Sequence, residues 1–325
     1  MYSASGMSAR LPLLTFVASL LAVVSFAYAS SAQTASPASG IATSAVASAT
    51  AASPALPRPG DVTLGQNAGN VLIGLTVRPG EPGLNTLLVY VLPLGGPAAA
   101  ADVPVSLRVA AQSVALDTCS RTCRAANVNL LGGEHIDVLA GGASGGTASF
   151  DLPGLPAQDG AALLQQVQQR MHQLHTYRAD ETLGPATPPL QASYLFEAPD
   201  RMQLTPAGGE ATVWIGPTRY TRPLGSDVWQ AEDFGSSLPV PSFVWDIPDA
   251  GGSYVGAHLV GSETVDGVQT QVLTFFLDLP QTPVWFRLSA DADGLVHRAS
   301  MRAQGHFMDH RYSEFDAPVS IDPPA

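Results

Sequence analysis

The sequence predicts a mainly β, α+β protein: an immunoglobulin-like β-sandwich followed by a curved antiparallel half-barrel with one covering helix. From residue 61 onward, short stretches of alternating apolar residues are separated by turn residues, a pattern typical of antiparallel strands. One segment after residue 159 has helical periodicity instead. All four Trp lie in the second half, so we expect that unit to contain the larger apolar volume.

The first 60 residues precede both units. Residues 1–29 predict a secretory signal peptide, because the apolar run 11–26 follows Arg10 and an Ala-Tyr-Ala cleavage signal stands at 27–29. The apolar run could also remain uncleaved and tether the protein to a membrane. Residues 30–60 are dominated by Ala, Ser, Thr and Pro, which predicts a disordered linker. We therefore expect an exported protein, periplasmic or at the cell surface.

The charge of the chain excludes several function classes. The formal net charge is −12, which argues against nucleic acid as a partner and against electrostatic binding to anionic lipid. All 15 basic residues are Arg. Because the chain has no Lys, phosphate-loop nucleotide binding and Schiff-base chemistry are excluded.

Residues 61–156 predict the sandwich. Its expected strands are 71–77, 85–91, 103–109, 127–131, 135–139 and 147–152. The sequence GASGG at 142–146 matches a nucleophile-elbow pattern, but a strand follows it where the elbow requires a helix. We therefore interpret it as a hairpin loop and predict no catalytic residue and no enzyme.

Cys119 and Cys123 are the only cysteines. In an exported protein such a close pair predicts a local disulfide. Free thiolates would instead suit copper(I), with His135 as a further ligand, and this alternative stays open.

Residues 159–325 predict the half-barrel. Asp159 is a candidate helix N-cap, and we expect the helix to end before Gly184 and the Pro-rich run after it. Asp266-Gly267 predicts a tight hairpin between two of the strands. The expected strands are 192–198, 211–215, 219–222, 258–265, 268–277, 284–290 and 295–308.

Alternation along these strands assigns apolar residues to one side of the sheet, where they and the helix would line a cavity for an apolar ligand. Trp214 and Trp285 are assigned to the other side. The candidate cavity residues are Leu164, Val167, Met171, Leu174, Val213, Ile215, Val272, Phe276, Phe286, Leu288, Met301 and Phe307.

His306, Met308 and His310 are spaced by two, so one strand would place all three on the same side. Imidazole and thioether together suit copper. The same strand also carries polar neighbours typical of a solvated face, so an ordinary surface strand is the alternative.

The second unit resembles the LolA-like/LppX-like superfamily of periplasmic lipoprotein carriers, over about half of the chain. The resemblance rests on the leading helix, APDRM at 198–202, Gly216, Tyr220, Trp229, GSETVDG at 261–267, the turn at 291–294 and the final segment 312–324. It implies a curved sheet that encloses acyl chains and binds or shuttles a lipid-like molecule.

The first unit resembles the extracytoplasmic domain of copper-resistance D and YtkA-like proteins. The residues concerned are GLTVRP at 74–79, GLNT at 83–86, and Gly133 leading into the strand that ends at Leu139. The membrane helices of those copper proteins have no counterpart in this sequence, which weakens the copper inference.

Together these observations predict an exported binding protein that sequesters or shuttles a lipid-like apolar ligand without covalent chemistry or a cofactor. Its expected partners are a lipid or acyl-chain ligand and a membrane or cell-envelope protein. The alternatives are an extracytoplasmic copper-handling accessory protein and a structural cell-envelope module.

Overall fold

A computed structural model describes residues 56–93, 103–143, 145–184, 188–245, 253–278 and 283–325. The predicted signal peptide, 1–29, and residues 30–55 of the predicted linker lie outside the described residues, as does Ser144 of the predicted hairpin loop. The described part is mainly β, with antiparallel open sheets and one helix, which confirms the predicted fold class. No helix in this part is long and apolar enough to cross a membrane.

Two small sheets form the first unit. The strands are β1 (Val62–Ala68), β2 (Val71–Arg78), β3 (Gly83–Pro93), β4 (Val105–Val109), β5 (Gln112–Val114), β6 (Asp117–Ser120), β7 (Cys123–Leu130), β8 (His135–Ala140) and β9 (Gly146–Asp151). One sheet has the order β1-β2-β3-β7-β6 and the other the order β5-β4-β8-β9. Apolar residues from both sheets pack into one core between them, so the unit is a two-sheet sandwich. Its assignment to the immunoglobulin type stays a prediction.

The second unit is built on one 12-stranded sheet. Its strands are β10 (Gln158–Asp159), β11 (Thr176–Gly184), β12 (Leu190–Glu197), β13 (Arg201–Pro206), β14 (Ala211–Ile215), β15 (Thr218–Arg222), β16 (Gln230–Asp233), β17 (Ser253–Val265), β18 (Val268–Asp278), β19 (Val284–Ala290), β20 (Val296–Ala303) and β21 (His306–Ser313). The order is β10-β17-β18-β19-β20-β21-β11-β12-β13-β14-β15-β16, so the sheet is open, with β10 and β16 at its edges.

The helix α1 (Ala161–Met171) is shorter than the sequence predicts. Its N-cap is Gly160, and the predicted cap, Asp159, accepts a hydrogen bond from the backbone N–H of Ala161 (2.9 Å). The chain turns after Met171 and continues as β11, which pairs with β12 and β21. The helix prediction was wrong over β11, because Tyr177 and Ala179 alternate with polar residues at the strand period.

The large sheet buries apolar side chains on both faces. One face packs against α1 and is called the helix face; Phe275, Phe286 and Met301 belong to it. The opposite face packs against the sandwich and is called the sandwich face; Phe276 and Trp285 belong to it.

Trp285 packs at the contact between the two units. Its side chain lies against Gly65 of β1 and Gly74 of β2, where a Cβ atom would overlap the indole. Tyr90 packs on the same indole with 5.6 Å between ring centroids. Leu56, from the end of the predicted linker, packs beside this cluster. The sandwich therefore supports the large sheet over β18 and β19.

Candidate functional site

A continuous apolar row crosses six adjacent strands of the helix face. It follows directly from the register of the antiparallel pairs, in which each residue stands opposite the next. From β12 to β18 the row is Leu190, Leu183, Met308, Met301, Phe286 and Phe275. Its last four members are buried in one cluster.

The helix α1 covers one end of the helix face. Leu164, Val167 and Met171 are buried in the cluster. The helix lies beside the β19–β20 turn, because Gln166 donates a side-chain hydrogen bond to the carbonyl of Ala292 (3.1 Å). This end of the sheet, with the turns 198–200 and 291–295, is called the helix end. The opposite end, with residues 188–189 and the loops 207–210 and 223–229, is called the loop end.

An irregular segment, residues 238–245, crosses the helix face and is called the strap. Phe243 and Trp245 stack on each other with ring centroids 4.9 Å apart. Phe243 also lies 5.2 Å from the ring of Tyr177, and Trp245 lies 5.3 Å from that of Tyr312. The strap therefore covers aromatic side chains of β11 and β21 without forming a helix or a strand.

Few hydrogen bonds hold the strap. The hydroxyl of Tyr177 donates to the carbonyl of Ser242 (3.1 Å) and accepts from its N–H (3.3 Å). Tyr254 donates to the carbonyl of Trp245 (2.6 Å). Burial raises the pKa of Tyr177 far above its ordinary value, against the weaker effect of its bond to Ser242, so the hydroxyl stays protonated and able to donate.

Seven of the predicted cavity residues lie together on the helix face. They are Leu164, Val167, Met171, Leu174, Phe286, Leu288 and Met301. Leu174 follows α1 in the turn that leads into β11, so it reaches the cluster from outside the helix.

The other five predicted cavity residues do not lie in this cluster. Phe276 and Phe307 face the sandwich together with Trp285. Val272 alternates with Leu273 and Phe275 and so shares the face of Phe276. Val213 and Ile215 lie on the opposite face of β14 from Trp214, which packs in the helix-face cluster. The predicted sides were wrong here, because both faces of the sheet are apolar.

A buried polar network interrupts the helix face one row from the apolar row. His310 Nε2 contacts Glu181 Oε1 at 3.1 Å, and His310 Nδ1 contacts the hydroxyl of Tyr312 at 2.6 Å. Tyr194 donates to Glu181 Oε2 at 2.6 Å. Burial favours the neutral form of Glu181, but the bonds from His310 and Tyr194 and the charge of His310 outweigh it, so the pKa lies below its ordinary value.

His306, Met308 and His310 share the helix face, as their spacing predicts. Met308 is packed in the apolar cluster, and both ring nitrogens of His310 have partners. Burial lowers the pKa of His306; the carboxylate of Glu181 opposes this and His310 adds to it. In the described residues no group of three or more His, Cys, Asp and Glu side chains could hold a metal ion.

The second predicted metal position contains a disulfide. Cys119 and Cys123 are bonded, with Cα atoms 5.2 Å apart, so the predicted disulfide is confirmed. His135 contacts Asp151 at 2.6 Å and Asp137 at 3.1 Å. Hydrogen bonding to Asp151 and the charges of both carboxylates raise the pKa of His135, which favours its protonated form over a metal-binding imidazole.

No protein-family model matches the chain, and no curated protein matches it. Its C-terminal half is similar to the solved structure of the Mycobacterium tuberculosis lipoprotein LppX, at 15% identity and a TM-score of 0.38, over 50% of this chain and 97% of that chain. LprF from Mycobacterium bovis gives 17% identity and a TM-score of 0.36, over 50% and 96%. This is the half whose sequence resembles the LppX-like superfamily. At TM-scores this low, neither similarity defines a ligand for this chain.

Three features of the site are absent from the sequence-based prediction: the strap, Glu181 and Tyr194. The aromatic spacing of Phe243 and Trp245 was a usable signal for the strap, whereas the pairing of Glu181 with His310 joins residues 129 positions apart. A shallow cleft of about 400 Å³ also reaches Glu181 from the loop end. Six of its nine lining residues have polar side chains, namely Asp180, Glu181, Thr182, Gln191, Ser193 and Thr205, and the other three are Ala192, Pro206 and Ala207.

Proposed function

We propose that this protein binds a lipid-like apolar ligand on the helix face of its large sheet, and that it does so without covalent chemistry or a cofactor. The observation that supports this is the apolar row, which runs from the buried Phe275 to Leu190 at the exposed end of β12. Its six strands span about 24 Å at ~4.8 Å per strand. An acyl chain of ordinary length fits along such a row.

Binding would replace the strap. The strap contributes Val240, Phe243 and Trp245 to the cluster, so an acyl chain in their place would bury comparable apolar area. At about 25 cal/mol per Å² of apolar surface, this exchange would be close to balanced, and the ligand's own removal from water would favour binding.

Trp245 makes the covering position of the strap less stable. Its Nε1 atom is buried and has no hydrogen-bond partner among the described residues. An unsatisfied buried donor costs about 1–3 kcal/mol. Displacing the strap would return this N–H to water, which favours the ligand-bound arrangement.

The experiment that tests this function is native mass spectrometry of the protein purified from a secreting host, compared with two variants. Leu183 lies in the apolar row, whereas Thr182 is its neighbour on the opposite face of β11. We expect the wild-type protein and the Thr182→Arg variant to carry added mass that organic solvent extracts. The Leu183→Arg variant should lose it while keeping a cooperative unfolding transition.

A bare polypeptide mass for the wild-type protein, together with failure to take up added phospholipid or fatty acid, would contradict the proposal. The helix face would then be filled by its own side chains, as in a structural module. Equal retention by the two variants would also contradict it, because the ligand would then lie away from the row.

A further inference from the structure

Exposed large apolar side chains gather at the loop end of the large sheet. Leu224 is 72% exposed, Val228 is 67% exposed and Leu190 is 43% exposed. Leu224 and Val228 stand on the loop between β15 and β16, and Leu190 begins β12. Three large apolar side chains exposed at the same end of a sheet are available together to one contacting surface.

Strand register places all three at the same end. Ala211, at the start of β14, pairs with Arg222, at the end of β15. Leu224 and Val228 therefore project beyond that end of the sheet. Leu190 begins β12 at the same end of the sheet, three strand spacings away, which is about 14 Å. These three exposed side chains, Leu224, Val228 and Leu190, are called the tips. At this separation they do not form one groove or flat patch to which a folded protein would bind.

Two of the tips, Leu224 and Val228, lie in the chain between the partners of a cation–π contact. The guanidinium of Arg222 lies 5.1 Å from the ring centroid of Trp229. Proteins at a bilayer interface show a similar layering. Their Trp and Arg side chains lie in the headgroup region, and aliphatic side chains beyond them lie in the acyl region.

The charge of the loop 223–229 and of the whole chain indicates which kind of bilayer the protein would contact. From Pro223 to Trp229, Asp227 is the single charged residue, and the whole chain has a net charge of −12. Anionic lipid would be repelled by this charge. A zwitterionic surface would leave apolar insertion as the driving force.

Leu190 connects the tips with the helix face. It pairs directly with Leu183, which packs against the buried cluster and in turn pairs with Met308. An acyl chain leaving a bilayer at the loop end would therefore meet Leu190 and then the apolar row.

We infer that the loop end of the large sheet docks on a zwitterionic lipid bilayer, with Leu224 and Val228 inserted among the acyl chains and Leu190 leading into the apolar row. The docking rests on the proposed function for the identity of the transferred ligand. The bilayer contact itself is carried by the exposed tips and the Arg222–Trp229 pair.

Phosphatidylcholine vesicles containing brominated acyl chains test the docking with the full chain. Bromine quenches the fluorescence of a Trp at the acyl boundary, so quenching that disappears in the Trp229→Phe variant reports this loop and no other part of the protein. We expect the quenching in the wild-type protein. In the Leu224→Asp/Val228→Asp variant, the vesicle partition coefficient reported by the quenching should fall by at least about tenfold, because two inserted aliphatic side chains are lost.

The matched control is the Leu84→Asp/Leu131→Asp variant. Leu84 and Leu131 are 67% and 77% exposed but belong to the sandwich, so this variant should bind vesicles as the wild-type protein does. An equal loss in both variants would overturn the inference. So would quenching that persists in the Trp229→Phe variant, or binding that requires phosphatidylglycerol in the vesicles.

Different experimental results would contradict the bilayer contact and the proposed function. Native mass spectrometry of the Leu224→Asp/Val228→Asp variant should show the same added mass as the wild-type protein, because the apolar row is intact. Vesicle docking by a protein that carries no ligand and takes up no added phospholipid or fatty acid would support the bilayer contact and contradict the proposed function. A loaded protein whose Trp229 is never quenched would support the function and overturn the docking.

Discussion

Glu181 and His310 form a buried hydrogen-bonded pair on a largely apolar face. Their side chains are almost fully buried, with Nε2 and Oε1 3.1 Å apart. Removing the Glu181 carboxylate from water costs free energy, and further hydrogen bonds to the pair offset that cost. Tyr194 and Tyr312 supply those bonds. Burial raises the pKa of Tyr194, and the neighbouring carboxylate raises it further, so this hydroxyl remains a donor.

The Glu181→Gln variant should lower the free energy of unfolding at neutral pH by about 1–3 kcal/mol, because a buried charged acceptor is lost. The effect should depend on pH. Since the pKa of Glu181 in the folded protein lies below the ordinary value of 4.5, its stabilisation is present above that value and is lost as the pH falls through the folded-state pKa. Urea unfolding at a series of pH values measures this.

The control for that prediction is Glu314→Gln, which removes the exposed partner of Arg178 (2.9 Å). An exposed pair contributes about 0–1 kcal/mol, so this variant should stay close to the wild-type protein. A difference between Glu181→Gln and the wild-type protein that is the same at pH 7 and pH 3 would contradict the titration of Glu181.

At the scale of elements, the strap is the part of the helix face best suited to move. Regular strands and α1 are held by repeated backbone hydrogen bonds. The strap depends instead on ring contacts, on the hydroxyls of Tyr177 and Tyr254, and on one backbone bond from the N–H of Val240 to the carbonyl of Pro199 (2.9 Å). Segments with few internal hydrogen bonds open at a lower free energy than the sheet beneath them.

The Tyr177→Phe variant should therefore release the strap while the sheet persists. It removes both bonds to Ser242, at about 1 kcal/mol in stability, and keeps the stacked ring beside Phe243. Amide hydrogen exchange in residues 238–245 should become several-fold faster. The Tyr194→Phe variant loses a hydroxyl that bonds Glu181 and not the strap, so strap exchange there should be unchanged; equal acceleration in both variants would assign it to the sheet.

The sequence predicted the positions of many strands and turns, but it assigned fewer side chains to the correct face of the sheet. Turn residues at Asp266-Gly267 and at 291–294 correctly placed the β17–β18 and β19–β20 hairpins, because turn geometry is local. The row of His306, Met308 and His310 was likewise predicted by spacing alone. Faces failed where β18 carries Phe275 and Phe276 side by side, because alternation distinguishes two faces only when one of them is polar.

At the scale of the whole molecule, the sandwich and the large sheet pack directly against each other at Trp285. The indole lies against Gly65 and Gly74, and each of these positions would overlap it if it carried a Cβ atom. Two glycines on neighbouring strands thus form a slot for one side chain. The sequence could not show this slot, since it joins β1 and β2 to a residue more than 200 positions later.

A double-mutant cycle tests the slot. Trp285→Ala should destabilise the protein by about 3–5 kcal/mol through the lost packing, and Gly74→Ala by about 1–3 kcal/mol through overlap with the indole. In the double variant the added methyl group would occupy space that the indole has left. The combined loss should therefore be smaller than the sum of the two single losses by about 0.5–3 kcal/mol, as measured by urea unfolding. Gly154→Ala, where a Cβ atom would meet open space, should be additive with Trp285→Ala. Additivity in both cycles would mean that Gly74 and Trp285 do not share a contact, and that the sandwich does not support the sheet through this slot.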